Sequence, residues 1–297
     1  DEINAYLVAG KNILVNKLSK PTSGQNEMSF GNKPVDGGNL LLSPDEVNEL
    51  QIMPEQKKKF IRRIYGSAEF IRGLERYCLW IEDADLSEAK AIPAIAKRLE
   101  AVEEMRLSSR DKGANEMASR PHQMREMNIG SKQTIAMPCV SSESRDYLPV
   151  GLLDSNSTVT NLAFALFDAP LWNMALIASR IHLVWIGTVC GKMKTDFRYS
   201  NTMGWNTFPV PTLTEKNKED LTHCAEEILL ARERHFPATI ADLYKPDAMP
   251  ADLRAAHERN DEVLERIYIG RRFRNDTERL EKLFEMYSKM TSGNKAG

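Results

Sequence analysis

Residues 168–191 read DAPLWNMALIASRIHLVWIGTVCG, a strongly apolar stretch with clear boundaries. Asp168-Ala169-Pro170 is typical of a helix start, because proline fits the first turn of a helix. Gly191 is typical of a helix end, because glycine accepts the backbone conformation that terminates helices. The sequence therefore predicts one buried helix from Asp168 to about Cys190. Such a helix would be a rigid mount for the polar loop that follows it.

The segments before this helix contain short runs rich in β-branched, aromatic or alternating apolar residues, which is the pattern of strands. The predicted strands are Phe60–Tyr65, Arg76–Glu82, Thr134–Val140, Tyr147–Asp154 and Thr158–Phe167. Two helices lie among them. A capping box at Ser43 opens one that runs towards Lys59, and Pro93 begins the other.

The segments after residue 213 follow a helical period throughout. The predicted helix starts are Thr214, Pro250 and Asn275 or Asp276. The fold class predicted is therefore α+β, with a mixed β/α domain at residues 21–213 and a small all-helical domain at residues 214–297.

Composition excludes several classes of protein. The chain has 297 residues, is 42% hydrophobic and 28% charged, and carries a net charge of −2. These values indicate a globular protein without a global electrostatic attraction for nucleic acid, so any anion-binding surface must be local. No apolar run reaches the length of a membrane span, and we expect a cytoplasmic protein. The four widely spaced cysteines are expected to be reduced thiols.

Catalytic motifs are missing from the sequence. It contains no GxGxxG after a strand, no Walker loop, no HExxH and no GxSxG. His182 lies in the apolar helix and is predicted to be a core residue, and His223 has no second ligand pair that would make a metal site. We therefore predict no catalytic residue, bound cofactor or metal in this chain.

The loop after the apolar helix, GKMKTDFRYSNTMGWNTFPVP (Gly191–Pro211), is the best candidate for nucleic-acid recognition. Lys194 and Asp196 are two apart, so in an extended segment both would face one side. Lysine can donate to guanine O6 and N7, and aspartate can accept from cytosine N4. Lys192 and Arg198 have the same parity and would extend this row. The alternative is that Lys194 and Asp196 merely neutralise one another on the surface.

Two other segments carry groups that contact nucleic acids. The polar run Ser141–Tyr147 contains hydroxyls, carboxylates and a guanidinium, with Ser144 and Arg145 as its candidate contacts. A plain hairpin turn is the alternative interpretation of this run. The second segment has a local excess of positive charge, which is typical of phosphate-binding surfaces. A solvated helix end and strand edge would also explain this charge. Its candidate phosphate contacts are Lys57, Lys58, Lys59, Arg62 and Arg63.

Five blocks in this order resemble the C-terminal half of MmeI-like enzymes, bacterial proteins that fuse a restriction endonuclease, an adenine methyltransferase and a target-recognition domain. The blocks are EMSFGNKPVDGGNLLLSPDEV (27–47), ERYCLWI (75–81), SSESRDYLPVGLLD (141–154), CGKMKTDFRYSNTMGWNTFPVP (190–211) and LRAAHERNDEVLERIY (253–268). The resemblance covers nearly the whole chain. It implies a target-recognition domain, similar to type I restriction specificity modules, followed by a helical C-terminal domain.

The resemblance also implies which residues read the DNA sequence and which domain methylates it. The family's base-reading positions correspond to Lys194, Asp196 and Arg198, with Ser144 and Arg145 in the polar run, and Lys192 is expected on the DNA backbone. The family's S-adenosylmethionine and Asn-Pro-Pro-aromatic motifs do not occur in this sequence. The expected partners are therefore double-stranded DNA and a methyltransferase domain of the same protein, which would hold S-adenosylmethionine, flip an adenine and methylate it. Residues 1–20 are expected to form the junction with that preceding domain.

Two other functions remain compatible with the residues. The chain could be the specificity part of a multi-subunit restriction–modification system, although no second copy of the recognition unit is present. It could also be a helical protein-interaction scaffold without a DNA role, which the near-neutral charge allows. Steep loss of DNA affinity with salt would separate a phosphate-contacting domain from such a scaffold.

Overall fold

The computed structural model describes residue 6 and residues 13–193 and 196–292. The chain divides into two compact units. Unit 1 combines the chain up to Ser29 with Ile135–Leu152 and everything from Ala169 onward. Unit 2 consists of Phe30–Thr134 and Leu153–Asp168. The helical C-terminal part and the loop that carries the candidate base-reading residues therefore belong to the same unit.

The helices are short in the first half of the chain and long in the last third. Among the described residues they are α1 (Pro44–Glu49), α2 (Pro54–Phe60), α3 (Ser67–Arg72), α4 (Leu86–Lys90), α5 (Pro93–Leu107), α6 (Lys112–Glu116), α7 (Trp172–Ile177), α8 (Arg180–Val189), α9 (Glu215–Glu233), α10 (Ile240–Leu243), α11 (Ala251–Ile269) and α12 (Asp276–Ser292). A 3₁₀ turn at Asp83–Asp85 and a π-helical turn at Asn201–Trp205 complete the helical structure described.

The strands are all six residues or shorter. They are β1 (Ser29–Phe30), β2 (Leu41–Leu42), β3 (Ile61–Tyr65), β4 (Tyr77–Leu79), β5 (Gln133–Pro138), β6 (Val140–Ser141), β7 (Gly151–Asp154), β8 (Ser157–Val159), β9 (Ala163–Phe167), β10 (Lys192–Met193) and β11 (Asp196–Arg198). The mixture of strands and helices confirms the predicted α+β class.

Unit 2 is built on a sheet with the strand order β2-β4-β3-β8. Strand β3 pairs antiparallel with β4 and parallel with β8. Ile64 of β3 is fully buried and belongs to the same hydrophobic core as Ile95 and Leu99 of α5. Because side chains alternate along a strand, Arg63 and Tyr65 lie on the face of β3 opposite to this core.

Unit 1 is mainly helical. Helix α9 packs against α7 and α11, and α12 packs against α8. Helix α9 begins at a capping box in which the Thr214 hydroxyl accepts from the Asn217 amide, as the sequence predicted. Its sheet is small, with the strand order β10-β11-β6. This sheet contains both the candidate base-reading loop and the start of the polar run.

The apolar helix predicted from Asp168 is in fact two helices, α7 and α8, so that prediction was wrong. Ser179 has an extended backbone, which interrupts the helix between α7 and α8. Its hydroxyl caps α8 by accepting from the His182 amide. Asp168 does not cap α7. It has a positive φ of 52°, and its carboxylate instead accepts from the amides of Ser131 and Lys132 at 2.9 and 2.7 Å.

The helix predicted from Ser43 towards Lys59 is also divided in two. The capping box at Ser43 is present and α1 starts there, but α1 ends at Glu49. Pro54 begins α2 after Met53, whose ψ of 153° is extended. A residue before proline is driven out of the helical region by the proline ring, which explains the break. The strand predicted at Thr158–Phe167 is likewise two strands, β8 and β9.

Candidate nucleic-acid interface

The loop after α8 and the polar run meet in one antiparallel sheet, which we call the reading sheet (β10, β11 and β6). Phe197 at the centre of β11 is paired with Ser141 of β6, and Arg198 is paired with Val140. On its other side, β11 pairs with β10, where Lys192 lies opposite Phe197. Two segments that the sequence singled out independently are thus neighbours in the fold.

The pairing determines which side chains share a face. Directly opposed residues of antiparallel strands lie on the same face, so Lys192, Phe197 and Ser141 share one face. Asp196 and Arg198 are on the other face of β11. Lys192 therefore does not extend the row of Asp196 and Arg198, and that prediction was wrong, because the chain reverses direction between β10 and β11. Lys194, the candidate partner of Asp196, lies outside the described residues.

Helix α8 supports the reading sheet. A Cβ placed on Gly187 would lie 3.2 Å from the Phe197 ring, so this ring packs against the helix backbone. Further along the chain, the Tyr199 hydroxyl lies 3.0 Å from Nε2 of buried His182. Burial lowers the pKa of His182 to about 3, so the imidazole is neutral. The prediction that His182 is a core residue is confirmed, and Asp196 and Arg198 face away from α8.

The polar run is folded back onto the reading sheet by its own side chains. The Arg145 guanidinium donates to the Ser141 hydroxyl at 3.2 Å, and the hydroxyls of Ser142 and Ser144 are 2.8 Å apart. Ser144 is exposed and Arg145 is half-buried. Burial lowers the pKa of Arg145, while the negative charge of Asp196 acts in the opposite direction. Arg145 and Asp196 are therefore close enough to interact electrostatically.

The aromatic rings of the loop form its scaffold. Trp205 and Phe208 are completely buried, and the Trp205 indole donates to the Asn26 carbonyl at 2.7 Å. The Asn206 amide donates to the Leu18 carbonyl at 2.8 Å. These rings and amides hold the loop in place and are not presented to solvent, so the exposed polar groups of the reading sheet are its chemical surface.

The basic cluster of unit 2 is only partly available to a ligand. Lys59 is engaged by Asp85 and Glu88 at 2.8 and 2.6 Å. Arg62 donates to the Lys58 carbonyl at 2.7 Å and lies on the opposite face of β3 from Arg63. Lys57 and Lys58 are exposed, and their ammonium groups have no partner within the described part of the chain.

A groove of about 540 Å³ in unit 2 collects the remaining cations. Lys57 and Lys58 line it together with Arg63, Tyr65 and Tyr77. The Arg63 guanidinium lies 5.3 Å from the centroid of the Tyr65 ring and 5.6 Å from that of Tyr77. Glu75 pairs with Arg63 at 3.1 Å. Asp154 also lines the groove. Three cations therefore face the two carboxylates of Asp154 and Glu75, so the local charge is positive, as anion binding requires.

The described residues also bear on metal binding, membrane spanning and thiol reactivity. Among them, no group of three or more His, Cys, Asp or Glu side chains could hold a metal ion. No helix in residues 13–193 and 196–292 is long and apolar enough to cross a membrane. The four cysteines are free, as predicted, and burial raises the pKa of Cys78 to about 12, which makes it a poor nucleophile.

Sequence reasoning missed several residues that shape this surface. Glu143 pairs with Lys192 across the reading sheet, and Phe197 fixes the sheet to α8. Tyr147 is buried at the end of the polar run, where its hydroxyl donates to Asp261 of α11 at 2.9 Å. The contacts of Glu143 and Tyr147 join residues far apart in sequence, and a local pattern carries no signal for them.

The reading sheet, which packs on the buried helix α8, belongs to the same unit as the helical C-terminal part. Two family models match adjacent parts of the chain. The MmeI target recognition domain matches residues 9–212, and the MmeI C-terminal domain matches residues 213–294. The chain belongs to the MmeI family.

Two relatives extend this comparison. DNA methyltransferase A of Bacillus subtilis (strain 168) is 39% identical over 293 residues, which cover 97% of this chain and 33% of that protein. The structure of the type IIL restriction-modification enzyme MmeI in complex with DNA superposes with a TM-score of 0.90 at 33% identity. That match covers 98% of this chain and 39% of the MmeI chain. The chain thus spans about a third of the length of its curated relative.

Proposed function

We propose that this chain is the sequence-specific double-stranded DNA recognition module of an adenine-N6 DNA methyltransferase or restriction–modification enzyme. It reads base edges in the major groove through the reading sheet and the polar run. The observation that carries the proposal is the pairing of Phe197 with Ser141, which brings two independently predicted recognition segments together. Their side chains offer donors and acceptors on one mount, as direct readout requires.

The proposed base contacts are Lys194, Asp196 and Arg198 in the β10–β11 segment, which we call the hairpin, with Ser144 and Arg145 on the polar run. Asp196 would accept from cytosine N4, and Lys194 or Arg198 would donate to guanine O6 and N7. Arg198 and Ser144 are exposed, while Asp196 and Arg145 are half-buried beside one another. Partial burial supports a reading role, because it limits the orientations that each side chain can adopt before DNA arrives.

The proposed phosphate contacts are Lys57, Lys58 and Arg63, which line the groove of unit 2, and Lys192 beside the reading sheet. Phosphate contacts position a protein on DNA without reading sequence. Lys59 and Arg62 remain predicted phosphate contacts. Like Arg63 and Lys192, which pair with Glu75 and Glu143, they already have partners, two carboxylates for Lys59 and a carbonyl for Arg62. They would have to exchange these partners before they could contact a phosphate.

We further propose that the module acts with a methyltransferase domain of the same protein. That domain would bind S-adenosylmethionine and transfer its methyl group to N6 of a flipped adenine in the recognised sequence. The similarity to DNA methyltransferase A supports this division, as does the share of that protein which the chain covers. A cytoplasmic location would follow from the same role.

Selection from a pool of randomised DNA duplexes tests the proposal. The intact protein is incubated with the pool at near-physiological salt, and retained duplexes are sequenced. Enrichment of an asymmetric motif of several base pairs is the expected result. Retention of all duplexes without enrichment would contradict sequence-specific recognition, and no retention even at low salt would contradict DNA binding altogether.

A further inference from the structure

We infer that helix α11 of the C-terminal domain is a specificity element, because it positions the polar run for base reading. This inference rests on the proposed function. The residues that hold the run are Arg254, His257 and Asp261, which are spaced by three and four positions and so lie on one face of α11. They are positioning residues, and the bases would be contacted by Ser144 and Arg145.

Tyr147 is the main attachment point. It is the last residue of the polar run and is only 6% exposed. Its hydroxyl donates to Oδ2 of Asp261 at 2.9 Å, and its ring stacks on the His257 imidazole with centroids 4.2 Å apart. A buried hydrogen bond to a carboxylate combined with a stacked ring fixes both the position and the rotation of this side chain.

Asp261 connects the attachment point to the mount of the reading sheet. Its second oxygen, Oδ1, accepts from the Arg180 amide at 2.7 Å, and Arg180 is the first residue of α8. The same helix contacts the reading sheet, because the Phe197 ring packs against Gly187. Both segments with candidate base contacts are therefore attached to α8. The β10–β11 hairpin packs on this helix directly, and the polar run is held to it through Asp261.

A second attachment lies one residue earlier. The Asp146 carboxylate pairs with Arg254 at 3.1 Å, and the Asp146 carbonyl accepts from Arg180 at 3.5 Å. Both carboxylate and guanidinium of the Asp146–Arg254 pair are partly exposed, so this pair is weaker than the buried one. It nevertheless fixes the backbone immediately after Arg145, which leaves only residues 142–145 between the anchored ends of the run.

This arrangement assigns a role in recognition to the C-terminal domain without any contact to DNA. Ser141 is held by β11 at one end of the run, and Asp146 and Tyr147 are held by α11 and α8 at the other. Release of the second end would let Ser144 and Arg145 move relative to Asp196. Preference at the base pairs that they read would then weaken, while the hairpin would keep its own preference.

The test compares binding motifs of the intact protein and three variants, Tyr147→Phe, Arg254→Gln and Tyr268→Phe. Tyr147→Phe removes the buried hydroxyl but keeps the ring, and Arg254→Gln removes the exposed pair with little risk to folding. Tyr268→Phe is the matched control. It also lies on α11 and loses one buried hydrogen bond, the one to the Pro209 carbonyl at 2.7 Å, which does not involve the polar run.

We expect Tyr147→Phe, and to a smaller degree Arg254→Gln, to reduce discrimination at one or two base-pair positions by about fivefold or more, the lower end of a bidentate contact. The other positions of the motif and the whole motif of Tyr268→Phe should be unchanged. Identical motifs in all three variants would overturn the inference and leave the proposed function intact. Absence of any motif for the unmodified protein would overturn both.

Discussion

The ammonium group of Lys192 lies 2.7 Å from Oε2 of Glu143, although 49 residues separate them in sequence. Lys192 lies on β10 and Glu143 follows β6, so this ion pair joins the two outer strands of the reading sheet across β11. Both side chains are partly exposed, at 50% and 39%. An ion pair so exposed contributes at most about 1 kcal/mol to the free energy of unfolding. We therefore expect its charges to matter more for DNA binding than for stability.

Glu143→Gln should raise the affinity for duplex DNA of any sequence. The substitution removes a negative charge from the surface and frees Lys192 to contact a phosphate. Each added phosphate contact steepens the dependence of log affinity on log salt by about 0.9. Dissociation constants measured at several salt concentrations would show this, and Lys192→Gln should change them in the opposite direction. Equal salt slopes in both variants would contradict a phosphate contact by Lys192.

Lys57→Gln and Lys58→Gln should weaken binding uniformly across DNA sequences. Both ammonium groups face the groove of unit 2, and each lost phosphate contact should reduce the salt slope by about 0.9. Lys59→Gln is the matched control, since Asp85 and Glu88 already occupy that ammonium group. A change in base preference, or an equal loss of slope in all three variants, would refute the assignment.

Asp261 should make the protein less stable as pH rises from about 4 to about 6. Burial raises its pKa to about 6, and Glu265 adds to this, while Tyr147, the Arg180 amide and Arg279 oppose it. A carboxyl whose pKa is higher in the folded state stabilises that state below its unfolded pKa of about 4, and this contribution is lost through the folded pKa. Asp261→Asn does not titrate. Urea unfolding should therefore show that the unmodified protein loses stability relative to the variant as pH rises from about 4 to about 6. A difference in free energy of unfolding that stays constant over this range would exclude the elevated pKa.

Gly31→Ala should destabilise the protein by about 1–3 kcal/mol or more, because a Cβ at this position would overlap the backbone carbonyls of Val159 and Thr160. Neither carbonyl can rotate away as a side chain would. Gly191→Ala is the control, as its Cβ would meet no atom within 4 Å, and it should change stability by less than about 0.5 kcal/mol. Urea unfolding measures both, and equal stability of the two variants would disprove the close approach.

Local signals in the sequence predicted where elements begin better than where they end. The capping box at Ser43 and the cap at Thr214 start helices as expected, because side chains at these positions satisfy free amides locally. The break at Ser179 was missed, because apolar residues continue on both sides of it. Pro54 did carry a signal for a break before α2 that the periodic pattern outweighed.

The candidate site was predictable in its members but not in its arrangement. Composition alone drew attention to the hairpin and to the polar run. Their meeting depends on the pairing of Phe197 with Ser141, 56 residues apart, which no local pattern specifies. The parity that placed Lys192 beside Arg198 assumed one continuous strand, and the chain reversal between β10 and β11 moved Lys192 to the other face.

Exchange of Lys194 and Asp196 tests the central claim most directly. The unmodified protein and the double variant Lys194→Asp/Asp196→Lys are each selected against randomised duplexes, with Lys216→Asp/Asp220→Lys on α9 as a control that exchanges an exposed ion pair. We predict that the first exchange changes the preferred base pair at one position of the motif, by about 1–3 kcal/mol of discrimination, and that the second leaves the motif unchanged. A uniform loss of affinity with the original motif retained would place these residues on the DNA backbone and contradict base reading by the hairpin.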